Sequence, residues 1–338
     1  MAKLLENLIN LQGISGNEHE VRNFILKEVK KYSKSIEVDR MGNIIVRKKG
    51  KGPTVMLLAH MDEIGLIIKS IEHDGKIRIS NIGGIDPIVL VGHRVEIQTS
   101  KGQMNAIITT KDILNDKDNE KKLNLEDLFV FTGLNKKTLD KKGVKIGSYI
   151  GFSKSSNFCT LGDEKIIAGK ALDDRIGCYV LLEVLRKMKT SREVICVFTV
   201  QEEVGLYGAK ASVFNANPDY AIAIDVSGHD EENERMLLGN GPSLTIKDAE
   251  MLGNKCLNET LEDIAKKNKI KLQREVSDTG TTDATSIFAA KGGVPSAVLG
   301  VPVANIHTTL SAAHLDDVEN VVNILTKFLK NPPQKCWD

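Results

Sequence analysis

The chain has 338 residues, 41% of them hydrophobic, and a formal net charge of +1. That length exceeds one ordinary core and implies two domains, or one large domain with an insert. The balanced charge argues for neither a nucleic-acid nor a membrane partner, and no apolar run approaches the ~20 residues of a membrane span.

Met1 is not followed by the positive and then apolar stretch of a secretion signal, because Glu6 and Asn7 interrupt Leu4–Leu11. Ser15-Gly16-Asn17-Glu18 has the pattern of a capping box, and Val21, Phe24, Ile25 and Val29 then recur at helical spacing. Thr54–Ala59 is a short apolar run, expected as a strand buried on both faces. From about Leu66 to Phe152 the texture changes to short β-rich pieces: Lys76–Ser80, Arg94–Gln98 and Gln103–Thr109. Turns at Gly83-Gly84, Gly92 and Gly102 and a charged stretch, Lys111–Lys122, separate them. With no strand–helix alternation there, this part is expected to be a small β domain inserted into the main one.

After Gly169 strands and helices alternate. The expected order is helix Asp173–Lys189, strand Glu193–Val200, helix Tyr207–Phe214, strand Tyr220–Ile224, helix Lys255–Asn268, helix Thr282–Ala290, strand Pro295–Gly300 and helix Ala313–Leu329. Such alternation implies an α/β fold with a mostly parallel mixed sheet flanked by helices. The five cysteines, Cys159, Cys178, Cys196, Cys256 and Cys336, are dispersed and form no CxxC pair. They fit a reducing cytoplasm and argue against a disulfide frame, so a metal here would be held by imidazole and carboxylate. Cys178 and Cys196 fall on apolar positions and read as core.

The chemical signal lies in order. One strand candidate ends in His60-Met61-Asp62-Glu63, the next in Gln201-Glu202-Glu203, the next in Asp225, and the last leads through a short loop to His307. Sites in open α/β sheets form beyond the carboxyl ends of the strands, so these groups should share one rim. Asp173, at the start of a helix, is a further rim candidate, although taken alone it reads first as a helix cap. His60 and Asp62, two apart on an extended strand, face the same way, so Asp62 can orient His60 or touch a catalytic base. Two histidines and three carboxylates suit two divalent cations sharing one water, with a carboxylate bridging them and another taking the water's proton.

The chain resembles the deblocking, glutamyl and leucyl aminopeptidases that assemble into tetrahedral particles, some of them labelled cellulase M or endoglucanase. The matching stretches are Leu57–Gly65, Gly83–Pro87 with Gly92–Val95, Ala171–Gly177, Val200–Gly205, Asp225-Val226, Gly280–Ala284 and Ile306-His307. The resemblance implies a metal-dependent aminopeptidase acting on short peptides, with His60 on one metal, His307 on the other and Asp173 bridging. It implies that Glu203 and Asp225 each complete one metal's shell, that Glu202 is the general base and that Asp62 supports it. Zinc or cobalt suits such ligands best, and manganese is possible. The resemblance also implies a catalytic domain at 1–67 and 161–338, a dimerisation domain at 68–160, and dimers assembling into a tetrahedral dodecamer.

Two departures stand out. His307 is followed by Thr308-Thr309-Leu310-Ser311 instead of Ser-Pro and an acid, and Thr109–Lys122 lacks a Pro-Pro-His pattern. The Gly280–Asp283 turn reads either as pocket wall or as a helix cap at Thr282 or Asp283. Other readings of the ligand set are a two-metal deacylase or carboxypeptidase on N-acyl amino acids, a glycoside hydrolase pairing Glu202 with Asp225, and a non-catalytic assembly protein. The 4% aromatic content is low for a sugar-stacking cleft, no GxSxG elbow is present, and no ligand is missing.

Overall fold

Strands Val55–His60 and Val194–Thr199 carry no charged residue before their ends, and every residue of both is buried. Both therefore lie at the centre of a sheet covered on its two faces. The computed structural model describes residues 2–110, 123–154, 158–162, 164–230, 232 and 234–337. Its larger sheet runs, by strand, 36–38, 44–48, 194–199, 55–60, 220–228, 296–304, 311–314, 166–169 and 158–161, with 243–247 pairing beside 296–304 and 273–276 beyond it. The four strands 194–199, 55–60, 220–228 and 296–304 are mutually parallel, whereas both flanks are antiparallel. The parallel centre puts four carboxyl ends on one edge, which is what positions the site.

Helices Leu172–Lys187 and Leu315–Phe328 cover one face with an apolar layer that includes Ile176, Val180, Leu181, Val184, Val318, Val322 and Leu325. Helices Tyr207–Ala216 and Asp283–Phe288 lie on the other, around Met56, Leu58, Val197, Val213 and Ile287.

The inserted β region is a closed antiparallel barrel of strands 65–71, 77–82, 128–131, 102–110, 94–99 and 149–152, with its own core. Closure removes the exposed edges that short strands would otherwise present. The expected strands 76–80, 94–98 and 103–109 correspond to 77–82, 94–99 and 102–110. The charged stretch 111–122 lies outside the described residues. No helix among the described residues is long and apolar enough to cross a membrane.

Several expectations need correcting. The capping box at Ser15–Glu18 does not form: the helix starts at His19, Glu18 makes no cap to it, and the Ser15 hydroxyl donates to Asp62 instead (2.6 Å). A buried carboxylate offers the stronger acceptor. The last helix starts at Leu315, because 311–314 pair as a strand with 166–169. Cys256 and Cys336 are joined by a disulfide across 80 residues, contrary to the reading of five unpaired thiols. The C-terminal tail is tied to the start of helix Lys255–Lys267 and sets Trp337 in tilted contact with Tyr220, a juxtaposition that sequence spacing does not contain. Cys159, Cys178 and Cys196 are free, the last two buried as expected.

Candidate metal centre

His60 is the last residue of its strand and is 2% exposed. In the register with strand 220–228, Ala223 pairs with Leu58, so Asp225 comes level with His60. Asp225 therefore lies within its strand, not just beyond the end expected at Ile224. Strand 194–199 ends at Thr199, opposite His60. Gln201 then takes a positive φ of 54°, which turns the chain so that the amides of Glu202 and Glu203 donate to Asp62 Oδ1 (3.1 Å) and Oδ2 (3.2 Å). Asp62 also faces His60 Nδ1 at 3.5 Å. It thus holds both the histidine and the Glu202-Glu203 turn.

Asp173 stands between two clusters. Its Oδ1 is 2.9 Å from His60 Nε2, and its Oδ2 is 3.3 Å from His307 Nε2. Asp225 Oδ1 is 3.9 Å from His60 Nε2, and Glu203 Oε2 is 3.4 Å from His307 Nε2. One group is His60, Asp173 and Asp225, the other Asp173, Glu203 and His307, with donor atoms in each within 4.8 Å of one another. Asp173 is free to do this because its neighbour takes over the capping role. Asp174 Oδ1 accepts from the Gly177 amide (2.9 Å) while its Oδ2 accepts from the His60 amide (3.2 Å). Both aspartates have non-helical backbone angles, so the regular helix begins after them.

The electrostatics are those of acids crowded out of water. Burial pushes Glu202 well above the ordinary carboxylate range. Burial, with the Asp173 charge next, raises both Glu203 and Asp225 to about 8. Burial would lower the His60 imidazole, but the carboxylates of Asp173, Asp62 and Glu202 hold it well above its usual value. The bond to Asp173 raises His307 to about 9 despite its burial. Burial would raise Asp173 too, yet the two imidazoles hold it well below its usual value. Negative charge packed this densely fits a cation pair, as does the buried Glu203 Oε1, which has no hydrogen-bond donor.

A cavity of about 600 Å³ opens onto both clusters. Gly84 of the barrel lines it, and a Cβ at that position would come within 3.1 Å of His307 Nδ1, so the barrel backs one wall closely. The loop after His307 touches the barrel too, through Thr309 and His93 (3.3 Å). The lining also includes Gly280, Thr281 and Thr282, while the Thr282 hydroxyl caps helix Asp283–Phe288 through the Ala284 amide, so both readings of that turn hold.

All seven residues singled out from the sequence, His60, Asp62, Asp173, Glu202, Glu203, Asp225 and His307, are brought together. Sequence reasoning missed Ser15 and Asp174, which fix Asp62 and the His60 backbone. It also missed the buried Glu63, which accepts from Lys170 (2.6 Å), Arg175 (3.0 Å) and the Gly13 amide (2.9 Å) directly behind the site. The Asp173-Asp174-Arg175 run was the available signal, since three consecutive charges entering an apolar helix need buried partners.

This fold and this site define a hydrolase of the metallo-aminopeptidase class. The family model for M42 glutamyl aminopeptidases matches residues 42–324. The chain is 31% identical to the lysyl aminopeptidase of Pyrococcus furiosus, over 97% of this chain and 96% of that one. It superposes with a TM-score of 0.93 on a TET aminopeptidase from a marine-sediment Thaumarchaeota archaeon (31% identity, 98% and 96% covered). It superposes with a TM-score of 0.89 on the TET1 peptidase of Pyrococcus horikoshii, which can assemble into a tetrahedron or a large octahedral shell (31%, 98% and 99%). The chain belongs to the M42 glutamyl aminopeptidase family.

Proposed function

We infer that the protein removes the N-terminal residue from short peptides with two divalent cations in this centre. The observation that carries the reading is the split of Asp173, one carboxylate oxygen facing each histidine. His60 and Asp225 would hold one cation, His307 and Glu203 the other, and Asp173 both. Zinc or cobalt suits these donors best, and manganese is admissible. When bound, the pair supplies Lewis-acid activation of a water and of the scissile carbonyl.

The chain's own groups do the rest. Glu202 lines the cavity with Oε2 3.9 Å from His60 Nε2, beside the clusters but outside both. There it accepts the proton of the attacking water and returns it to the departing amine nitrogen. Asp62, bonded to the Glu202 amide, keeps that carboxylate and His60 in register.

Residues 1–67 and 161–338 form the catalytic domain in this reading, and 68–160 the dimerisation domain. Ile88, Ile107, Phe131 and Ile146 all stand exposed on the latter, an apolar load that a second copy would cover. Dimers then build a tetrahedral dodecamer, and the compartment in this reading is the cytoplasm, where the Cys256–Cys336 disulfide would be an exception. Light scattering on the eluting particle tests the assembly. The chemistry is tested by Glu202→Gln, which should keep two metals per chain and lose turnover by about 10²–10⁴-fold, the worth of a general base. Near-parental turnover in that variant would remove Glu202 from the role.

A further inference from the structure

The cavity lining holds two further carboxylates that the reaction does not use. Asp248 and Glu275 line it together with Thr245 and Ser277. Asp248 is only 5% exposed. Its Oδ1 accepts from the Glu250 and Met251 amides (2.8 and 2.6 Å), but its Oδ2 is buried without any donor. Glu275 is held by the hydroxyls of Ser227 (3.0 Å) and Thr245 (2.8 Å), both on the single oxygen Oε2. Among the described lining residues there is no lysine or arginine. The nearby Lys247 is turned to Asp278 and the Ser277 carbonyl.

A buried carboxylate oxygen with no donor is costly unless a ligand supplies one. A pocket for leucine would be apolar, and a pocket for glutamate would need a cation. Here hydroxyls fix one carboxylate in place and a turn fixes the other, so both stand ready for a positive charge at little reorganisation cost. Resting on the aminopeptidase reading, the geometry points to a specificity pocket for a basic N-terminal residue, lysine or arginine, with Asp248 receiving the side-chain cation and Glu275 supporting it.

The test uses metal-loaded protein and kcat/KM for lysyl-, arginyl-, leucyl- and glutamyl-p-nitroanilide. The basic substrates should exceed leucyl by about tenfold or more, and glutamyl should be slowest, since its carboxylate would meet two others. Asp248→Asn should reduce the lysyl-to-leucyl ratio by about 10–100-fold, the worth of a charge-assisted hydrogen bond. Glu275→Gln should reduce it by a smaller factor. The inference is overturned if leucyl or glutamyl substrate is preferred. It is also overturned if both variants, with parental metal content and melting temperature, keep the parental ratio. An equal slowing of all four substrates would give that second result and place the acids on the α-amine or in the scaffold. Should Asp248→Asn fail to fold, the parental panel and Glu275→Gln still decide. No hydrolysis of any of the four by metal-loaded protein would sink the aminopeptidase reading, and this inference with it.

Discussion

The two halves of the candidate metal centre are built differently. His60 ends a strand buried along its whole length, its ring packed among Asp62, Asp173 and Glu202 and its backbone amide bonded to Asp174. His307 sits on a loop at a positive φ of 57° with its side chain 40% exposed, and a glycine of the barrel lies against its ring. One half is set by the sheet. In the other, Glu203 follows a strand end, while His307 comes from a loop packed directly against the barrel. The lesson is that one carboxylate, Asp173, can face both a histidine fixed by the sheet and a histidine carried on a loop.

Substitutions can break that contrast. In metal-free protein, His60→Ala leaves the buried Asp62 and Asp173 without their imidazole, a loss of the size that breaking a buried pair costs, ~3–5 kcal/mol. His307→Ala removes a partly exposed partner and should cost ~1 kcal/mol or less. Urea unfolding checks the order, and equal midpoints would show that the halves are equally rigid. The same two variants should each bind fewer than two metals per chain. Unchanged stoichiometry in both would end the ligand assignment.

Asp62→Asn sharpens the contrast from the side of the rigid half. Because Asp62 orients His60 and anchors the Glu202-Glu203 turn, its amide variant should weaken metal binding by about 10–100-fold, as losses of such supporting groups do. Competition with a chelator measures it. A smaller effect is expected on the loop side. Stepwise chelation should remove one equivalent of metal before the other, and His307→Ala should abolish the weaker class. Gly84→Ala is the mildest probe. Its Cβ would reach 3.1 Å from His307 Nδ1, a contact the loop can relieve by a few tenths of an ångström. A loss of a few-fold in metal affinity is expected, confined to the weaker class. A loss of both metals in that variant would show that the barrel supports the whole site.

Legibility from sequence follows the same division. The apolar runs at 54–59 and 194–200 could be read as strands because only a central position buries both faces, and the polar residues ending them then had to lie on one rim. The short flanking strands 36–38, 166–169 and 311–314 could not be read, since three or four residues carry no period of their own and form only against a neighbour. Ser15 shows the limit from another side: its local pattern promised a helix cap, but its hydroxyl donates a hydrogen bond to a buried carboxylate 47 residues away instead.

The sequence by itself determined the class of chemistry, the seven candidate residues and the presence of a β insert, because those depend on residue type and on spacing along single elements. Only the tertiary structure decided that Asp173 divides its two oxygens between two histidines, that Asp174 replaces it as the cap, that Cys256 meets Cys336, and that Asp248 and Glu275 line the same cavity. Each of these is a relation between segments distant along the chain, or a choice between neighbours made by what lies across from them. Hydrophobic periodicity records which face is buried, and it carries no record of what that face will meet.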